Sequence, residues 1–173
     1  NCITQDAQGH ILLGTHNSLL LYNGKSYANI PLLDSKNQPV STYVTQVYRL
    51  KNNDIAVVTS GYGIMLKKED AEVCYAMKGE VENLKFIHKI LEDKQERLWI
   101  ILESGKLYRA DKKRKLTKQI SGTETLEAQD IQQDNKGNIY LATKNDGVYL
   151  LKAGSTVFTK IAGIGNLPIE SIY

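Results

Sequence analysis

The sequence at residues 131–143 reads Ile-Gln-Gln-Asp-Asn-Lys-Gly-Asn-Ile-Tyr-Leu-Ala-Thr. The same order of an apolar start, a polar turn and an apolar run occurs earlier in the chain, at residues 3–15, 47–59 and 90–102. The copies begin at positions 3, 47, 90 and 131, which gives spacings of 44, 43 and 41 residues, and another 41 leads to a fifth start at Ile172. A fixed period of this length is the signature of a repeat architecture.

The turn inside each copy predicts a β-hairpin. Asp6 and Gly9 take the first and fourth positions of that turn, where they suit type I geometry, and residues 134–137 repeat this chemistry. Residues 93–96 keep the Asp but lose the Gly. Asn53 stands where the second copy would have its Gly, and Asn tolerates a left-handed backbone better than most residues.

Each repeat carries four short strand signals. The second strand is continuously apolar, which predicts cover on both faces, at 11–14, 55–58, 98–101 and 139–142. A third strand follows at 19–22, 64–66, 106–109 and 148–151, and a weaker fourth at 26–30, 72–75, 116–120 and 157–161. Helical periodicity is nowhere sustained, and the repeat phase makes residues 87–92 a strand.

These repeats predict an all-β fold built from β-propeller blades, because one antiparallel four-stranded sheet in about forty residues needs neighbours to cover its apolar faces. We expect about four blades, at approximately 1–42, 43–86, 87–127 and 128–168, and the start of a fifth at 169–173. The competing architecture is a stacked β-solenoid, whose coils are usually shorter and whose sheets are parallel. Both ends are interpreted as cuts through a repeat array in a longer protein.

Composition narrows the classes of function. The apolar fraction of 42% and the charged fraction of 24% are typical of a soluble globular protein, and the net charge of +3 does not call for nucleic acid. No apolar run is long enough to span a membrane, and no leader peptide precedes the first repeat. We therefore expect neither nucleic-acid binding nor membrane contact in this segment. Cys2 and Cys74 are interpreted as two small buried hydrophobes rather than a disulfide.

Signals for catalysis are weak. The three histidines are scattered, and no spacing suggests a metal site, a nucleophile elbow or a phosphate-binding loop. Asp6, Asp93 and Asp134 occupy one equivalent turn in three repeats, so turn formation explains them better than an acidic active site. We expect no catalytic residue, no metal and no cofactor.

Binding is more plausible, and the propeller topology predicts where it occurs. The joins between blades and the turns between second and third strands share one face. The candidate ligand-binding residues on that face are His16, Asn17, Asp34, Asn37, Tyr43, Tyr62, Glu103, Lys144, Asn145 and Asp146. Sugar binding uses planar hydrogen-bonding side chains and an aromatic platform, which Tyr62 or Tyr43 could supply. Loops are also polar simply because they are solvated.

Two further features have mainly structural interpretations. The basic run at 112–115 lies in a turn on the opposite face and is interpreted as a solvated hairpin tip, with attraction of an anionic glycan or an acidic partner as the alternative. Trp99 could be taken for a sugar platform. Its place in the apolar second strand, which matches Tyr140, predicts that it packs in the core.

The repeat pattern Ile-x-x-Asp-x-x-Gly-x-Ile-Tyr/Trp-Leu/Ile-x-Thr-x-x-x-Gly-Val-Tyr resembles the two-component regulator propeller repeat. Residues 131–149 match it with Asp134, Gly137, Ile139, Tyr140, Thr143, Gly147 and Tyr149. Residues 3–22 have Ser18 for the late glycine, residues 90–108 have Glu96 for the first glycine, and residues 47–66 diverge most. The resemblance covers essentially the whole chain.

The resemblance implies a sensor. Such repeats are similar to those in the periplasmic region of hybrid two-component systems of polysaccharide-degrading gut bacteria. There, seven-bladed propellers bind oligosaccharides and pass the event to a dimeric histidine kinase. This chain would then be a non-catalytic, ligand-sensing segment of such a propeller in an inner-membrane protein, with an oligosaccharide as its ligand. No residue here corresponds to the kinase or receiver chemistry.

Two other classes of function stay open. A protein-interaction scaffold of the WD-repeat kind would carry Gly-His and Trp-Asp signatures, which the repeats lack. A propeller glycan lyase or hydrolase would need convergent carboxylates or a Tyr–His pair at inner-strand positions. Because a row of four blades leaves two apolar faces uncovered, we also expect self-association, as a dimer or by completion of a ring through those faces.

Overall fold

The structure is a computed structural model, and it describes residues 2–113, 115–117 and 120–173. The described residues form strands and one short 3₁₀ turn at Glu80–Asn83, without any α-helix. The chain divides into two compact units, one ending at Ile87 and one beginning at His88, and each unit holds two packed sheets. In the described part of the chain, we find no helix with the length and hydrophobicity that a membrane crossing requires.

The first sheet is a four-stranded antiparallel meander. Its strands are β1 (Cys2–Gln5), β2 (Ile11–Gly14), β3 (Leu19–Tyr22) and β4 (Tyr27–Ile30). They pair in chain order, and the register aligns Ile3 with Leu13 and Leu13 with Leu20. Short strands joined by tight turns need no long connection, so each strand pairs with its neighbour in sequence.

The second sheet has the same four-stranded core with two added strands. Its strands are β5 (Leu32–Leu33), β6 (Pro39–Val40), β7 (Val44–Arg49), β8 (Ile55–Thr59), β9 (Gly63–Lys67) and β10 (Cys74–Ala76). The order across the sheet is β7, β8, β9, β10, β5 and β6. At residues 32–42 the sequence indicates only a polar connection between the first two repeats. The structure differs because β5 pairs in parallel with β10, and the Cys74 N–H donates to the Pro31 carbonyl at 2.9 Å.

The second unit contains two further four-stranded sheets, each in chain order. The third sheet has β11 (Ile87–Glu92), β12 (Leu98–Leu102), β13 (Leu107–Ala110) and β14 (Leu116–Thr117). The fourth has β15 (Ala128–Gln133), β16 (Ile139–Thr143), β17 (Val148–Leu151) and β18 (Thr159–Lys160). The predicted all-β fold of four antiparallel four-stranded blades is confirmed, as is the strand at 87–92, and the parallel solenoid is not what forms.

A separate apolar core lies inside each unit. Leu12 and Leu19 of the first sheet pack with Val57 and Met65 of the second. In the second unit the core residues of the third and fourth sheets are Trp99, Ile101, Leu107, Ile131, Ile139, Leu141, Leu151 and Phe158. Trp99 is fully buried, as predicted. The second strand is therefore the centre of each core, since its side chains meet the adjacent sheet.

Strand β2 is covered on one face only, as expected for the first blade in a row with uncovered ends. All residues of β8 are buried, whereas in β2 only Leu12 and Gly14 are buried while Ile11 and Leu13 remain partly exposed. The face of the first sheet that carries Leu13 also carries Ile3, which is 66% exposed. Among the described residues of the first unit, no second sheet packs on that face, so half of the strand stays accessible.

The turn carboxylates have the structural role that the repeat predicts. One oxygen of Asp93 accepts the N–H groups of Gln95 at 2.9 Å and Arg97 at 3.0 Å, and Asp6 and Asp134 make the same pair of bonds in their turns. These bonds close the first hairpin of three blades.

The fourth position of that turn has a left-handed backbone in all four copies. The φ angle is 88° at Gly9, 87° at Gly137, 65° at Asn53 and 59° at Glu96. Gly accepts this conformation without steric cost, and Asn accepts it more easily than most residues. Asn53 therefore adopts the left-handed backbone that the sequence analysis said an Asn would tolerate at this position.

Neither cysteine forms a disulfide. Cys74 is buried and Cys2 is partly buried, and burial raises the pKa of the Cys74 thiol to about 12. A thiol with such a pKa stays protonated near neutral pH, so Cys74 behaves as a small apolar side chain of the first core, and Cys2 packs against that core.

Candidate functional site

The join between the first two sheets meets the turns that connect second and third strands. The Val44 N–H donates to the Thr15 carbonyl at 2.9 Å, and the Ser41 hydroxyl donates to the Asn17 carbonyl at 3.0 Å. These bonds bring the β2–β3 turn of the first sheet against the chain that enters the second sheet. The shared edge that propeller topology predicts is therefore present in the first unit.

An aromatic pair marks this edge. The rings of His16 and Tyr43 stack with centroids 4.8 Å apart and an interplanar angle of 18°. His16 is exposed, and Tyr43 keeps 36% of its surface accessible. Stacking occupies one face of each ring, so a ligand can contact only the outer face or the ring edge. Such a pair offers a preorganised apolar platform beside solvent.

Tyr62 lies in the corresponding turn of the second sheet. The Ser60 N–H donates to the Tyr43 carbonyl at 3.0 Å, and the Tyr62 N–H donates to the Thr59 hydroxyl at 3.0 Å. The Tyr62 side chain is 40% exposed. We define the aromatic loop face as His16, Asn17, Ser41, Tyr43 and Tyr62. All of these residues except Ser41 were predicted from the sequence. The structure brings the four predicted residues to the same loop edge of the first unit.

A cavity of about 500 Å³ adjoins the aromatic loop face. Asn17, Asn29 and Ser41 supply polar atoms to its wall, and Pro39 and Val40 supply apolar surface. The Asn17 amide oxygen accepts a hydrogen bond from the Thr15 hydroxyl at 3.3 Å. Amide and hydroxyl groups above an apolar wall are the groups that fix a polyhydroxylated ligand.

Sequence reasoning missed Ser41 and Asn29. Ser41 is one polar residue of a polar join, and only its bond to Asn17 distinguishes it. Asn29 lies in strand β4, where neither the repeat nor the turn chemistry gives a signal. Both become candidates only through the three-dimensional neighbourhood of Asn17.

Asp34 and Asn37 serve their own hairpin. One oxygen of Asp34 accepts the N–H groups of Lys36 and Gln38, each at 2.9 Å, and Asn37 adopts a φ of 59°. The same arrangement forms the other Asp turns of the chain. Turn formation between β5 and β6 therefore accounts for both residues, and a binding role for them stays a prediction.

The remaining candidates lie in the second unit. Glu103 is in the β12–β13 turn, and the turn between β16 and β17 carries Lys144, Asn145 and Asp146. The Lys144 N–H donates to the Glu127 carbonyl at 2.9 Å, so this turn also meets the preceding join. These four residues lie in equivalent turns of the third and fourth sheets, whereas the aromatic pair belongs to the first unit.

Asp146 already has protein partners. The Tyr149 hydroxyl donates to one of its oxygens at 2.5 Å, and the Lys160 ammonium pairs with the other. The bond from Lys160 lowers the pKa of Asp146, and the bond to Asp146 raises the pKa of Tyr149 to about 12. This carboxylate holds its own loop in place, which leaves it less available to a ligand.

The opposite edge carries the basic turn. Lys112 and Lys113 are exposed in the turn before β14, and the Lys112 ammonium lies 2.9 Å from a Glu96 carboxylate oxygen. Arg114 falls outside the described residues. This exposure agrees with a solvated hairpin tip. Among the described residues, no group of three or more His, Cys, Asp or Glu side chains is placed to hold a metal ion.

No protein-family model and no curated protein matches the sequence. Solved structures do match the fold. One is the extracellular domain of BT4673 from B. thetaiotaomicron, described as a candidate one component system, at 20% identity and a TM-score of 0.72 over 99% of this chain. Another is the extracellular domain of BT3049 from the same organism, described as a candidate hybrid two component system, at 17% identity and a TM-score of 0.69 over 95% of this chain.

A third similar structure is the Dos1 propeller, at 12% identity and a TM-score of 0.60 over 96% of this chain. The chain spans 23% of the BT4673 domain, 25% of the BT3049 domain and 50% of the Dos1 propeller. At these identities the likeness establishes the fold, which is that of β-propeller blades. The repeat resemblance found in the sequence agrees with it at the level of the fold.

Proposed function

We propose that this chain is a non-catalytic, ligand-sensing part of the extracytoplasmic region of a hybrid two-component regulator, that the region is periplasmic, and that its ligand is an oligosaccharide. Two lines of support converge. The repeats resemble the two-component regulator propeller repeat along essentially the whole chain. The fold is similar to extracellular domains that are described as candidate one component and hybrid two component systems.

The single observation that carries the ligand class is the stacked pair of His16 and Tyr43. A sugar ring presents C–H groups on its faces and hydroxyl groups around its rim, so it needs an aromatic surface with hydrogen-bonding groups beside it. The pair supplies the surface, and Asn17 and Ser41 supply amide and hydroxyl groups at its side. Tyr62 adds an exposed ring from the corresponding turn of the second sheet.

Signalling would follow from the position of this site. The aromatic loop face includes a turn of the first sheet, a turn of the second sheet and the join between them. A ligand that touches all three favours one relative placement of the two sheets over others. It can shift a conformational equilibrium only by its difference in affinity for the two placements, and a dimeric kinase would read that shift.

A glycan screen with matched variants tests the ligand class. Oligosaccharides that bind the chain on a glycan array are then titrated in a calorimeter, and their affinities are compared for the wild-type chain, Tyr43→Ala and Tyr27→Ala. Tyr27 is a fitting control because it is exposed and stacks on Tyr22 at 4.7 Å, yet it lies beside the β3–β4 turn at the other edge. One aromatic contact is worth about 0.5–1.5 kcal/mol beyond area burial, so Tyr43→Ala should weaken binding about tenfold.

The controls decide the outcome. Tyr27→Ala should bind like the wild-type chain. If no glycan binds, the oligosaccharide assignment fails. If both variants lose affinity equally, the ligand does not use the aromatic loop face.

We further propose that the uncovered face of the first sheet takes a second copy of this chain. Ile3 is 66% exposed, whereas Val47 and Ile131, at the equivalent place in their sheets, are buried by the sheet before them. Burying such a face is favourable by about 25 cal/mol per Å². Light scattering should show dimers or larger species that Ile3→Lys converts to monomers, and a monomeric wild-type chain at high concentration would refute this.

A further inference from the structure

The first unit contains a second cavity, which shares Asn29, Ile30 and Pro31 with the cavity beside the aromatic loop face. It has a volume of about 670 Å³ and lies between the first and second sheets, near the β1–β2 turn and the β9–β10 turn. Its apolar wall is formed by Leu21, Ala28, Ile30 and Pro31. This volume falls in the range of about 300–1,000 Å³ that is typical of small-molecule sites.

In the second unit, two aromatic rings form the contact between the sheets. The ring of Trp99 in the third sheet contacts the ring of Phe158, which belongs to the fourth sheet, in an edge-to-face arrangement with centroids 5.8 Å apart. Leu151 lies in the same core. Trp99 is the second residue of β12, Leu151 is the last residue of β17, and Phe158 stands opposite Leu151 by extension of the β17–β18 register.

In the first unit, smaller or charged residues take those three positions. Leu12 replaces the indole, Cys74 replaces the phenyl ring, and Lys67 replaces the leucine. Two aromatic rings are thereby absent from the contact between the sheets. Because protein interiors are close-packed, the loss of two rings leaves open space unless the sheets move together.

Lys67 is the unusual residue of this cavity. It is only 5% exposed, and the alternation of side chains along β9 directs it to the same face as Met65, toward the first sheet. Its ammonium donates to the carbonyl oxygens of Lys68 at 3.3 Å and Glu69 at 3.2 Å, and the part of the chain that the structure describes offers no acceptor to its third N–H group. Among the described residues, Lys67 forms no ion pair.

A buried ammonium without a counter-ion is costly, because carbonyl dipoles replace only part of its hydration. Other blades avoid this cost, since the equivalent positions hold Ala110 and Leu151. The repeat therefore does not require a lysine here, and an anionic group that enters the cavity would pair with it.

The mouth of the cavity has the opposite charge. Four carboxylates line the cavity, and two of them have partners: Asp6 accepts from its own turn and from His10, and Glu69 accepts from Asn53 Nδ2 at 3.2 Å. Asp70 and Glu72 are exposed, and among the described residues neither of these two carboxylates has a hydrogen-bonding or ionic partner. A ligand with two anionic ends would be repelled there. The lining instead matches a molecule with an anionic group at the inner end, an apolar body and a cationic group at the outer end.

We propose that this cavity binds a short peptide, with its carboxylate against Lys67, an apolar side chain against Leu21 and Ile30, and its terminal ammonium near Asp70 and Glu72. A dipeptide has the size that the cavity holds. The site gives the first unit a second class of ligand, distinct from the oligosaccharide of the loop face.

Three probes test the charge pattern by calorimetry on the full chain. They are alanyl-leucine, its C-terminal amide and its N-acetyl form. The free dipeptide should bind with a dissociation constant of about 1 mM or tighter. The amide, which loses the partner of Lys67, should bind at least tenfold more weakly, and the N-acetyl form about threefold more weakly. No binding of the free dipeptide, or equal binding of the amide, overturns the proposal.

Three variants distinguish a loss of dipeptide binding from a loss of folding stability. Lys67→Met keeps an unbranched stem and removes the charge, so it should weaken dipeptide binding at least tenfold while the unfolding midpoint stays equal or rises. Lys152→Met, at an exposed lysine of the second unit, should leave affinity unchanged. Glu72→Gln should weaken the free dipeptide but not the N-acetyl form. Unchanged affinity in Lys67→Met refutes the site.

Discussion

Replacing Asp93 by Asn tests whether the turn carboxylates are structural. Asp93 is fully buried, and its second oxygen accepts hydrogen bonds from Arg97 Nε at 2.6 Å and Trp99 Nε1 at 2.8 Å. The amide of Asn can keep the turn bonds with its oxygen, but its NH₂ group then faces two donors. Loss of a charge-assisted bond and of the partner of a buried indole should lower the free energy of unfolding by about 3–4 kcal/mol.

The same change at the equivalent turns should cost less. The second oxygen of Asp134 accepts from Asn138 Nδ2 at 2.8 Å and from the Tyr140 hydroxyl at 3.3 Å. The hydroxyl can rotate to accept instead, and Asp134 is only half-buried, so water can replace the bond to Asn138. The second oxygen of Asp6 accepts from His10 Nδ1 at 3.0 Å, and a neutral histidine can switch tautomer. We expect about 1 kcal/mol for each of these variants.

Urea unfolding measures the series. Trp99 is the single tryptophan, so its fluorescence reports the second unit directly, and circular dichroism reports both units. With a slope of about 2 kcal/mol/M, Asp93→Asn should lower the midpoint by about 1.5–2 M and the other two variants by about 0.5 M. Equal costs in all three variants, or less than about 1 kcal/mol for Asp93→Asn, would refute the account of these turns.

Three further changes have definite expected outcomes. Gly14→Ala would place Cβ in a clash with Cys2 Sγ and 2.7 Å from Val44 Cγ1, so we expect a loss of about 1–3 kcal/mol in chemical denaturation, and no loss would contradict that packing. Glu96→Gly removes a non-glycine residue from a φ of 59° and should raise stability by about 1 kcal/mol, which thermal unfolding would detect. The Tyr149 pKa of about 12 exceeds the ordinary value of about 10, so its bond to Asp146 stabilises the fold below pH 10 and is lost as the pH rises toward 12. Tyr149→Phe should therefore flatten stability between pH 9 and about 12, and an unchanged slope would contradict this.

Much of the fold is predictable because repetition amplifies weak local signals. The Asp turn recurs at one place in three repeats, so Asp93 is identified as a turn residue even though Glu96 replaces the glycine there. The strand at 87–92 also follows from the phase of the repeat. Local chemistry sets both features, and a sequence displays local chemistry directly.

Features that depend on distant pairing are not predictable in this way. The parallel pairing of β5 with β10 joins Leu32 to Cys74 across 42 positions, and no local pattern marks it. The burial of Lys67 depends on which side chains of the first sheet lie opposite. A lysine at the end of a strand normally indicates exposure, so only the structure reveals it as a buried charge.

The candidate site was predicted in part. His16, Asn17, Tyr43 and Tyr62 come together because the join and the turns share one edge, which follows from blade topology. The ring stacking of His16 on Tyr43 and the bond from Ser41 to Asn17 depend on loop geometry that topology leaves open. Their role in ligand binding stays a prediction.

Chemical-shift mapping of the aromatic loop face tests the central claim most directly. An oligosaccharide that binds on the array is titrated into the isotope-labelled chain. The account predicts that resonances of His16, Tyr43 and Tyr62 shift together along one saturation curve while those of Tyr27 stay in place. Saturable shifts confined to Tyr27 and the opposite turns, with the loop face unmoved, would contradict it.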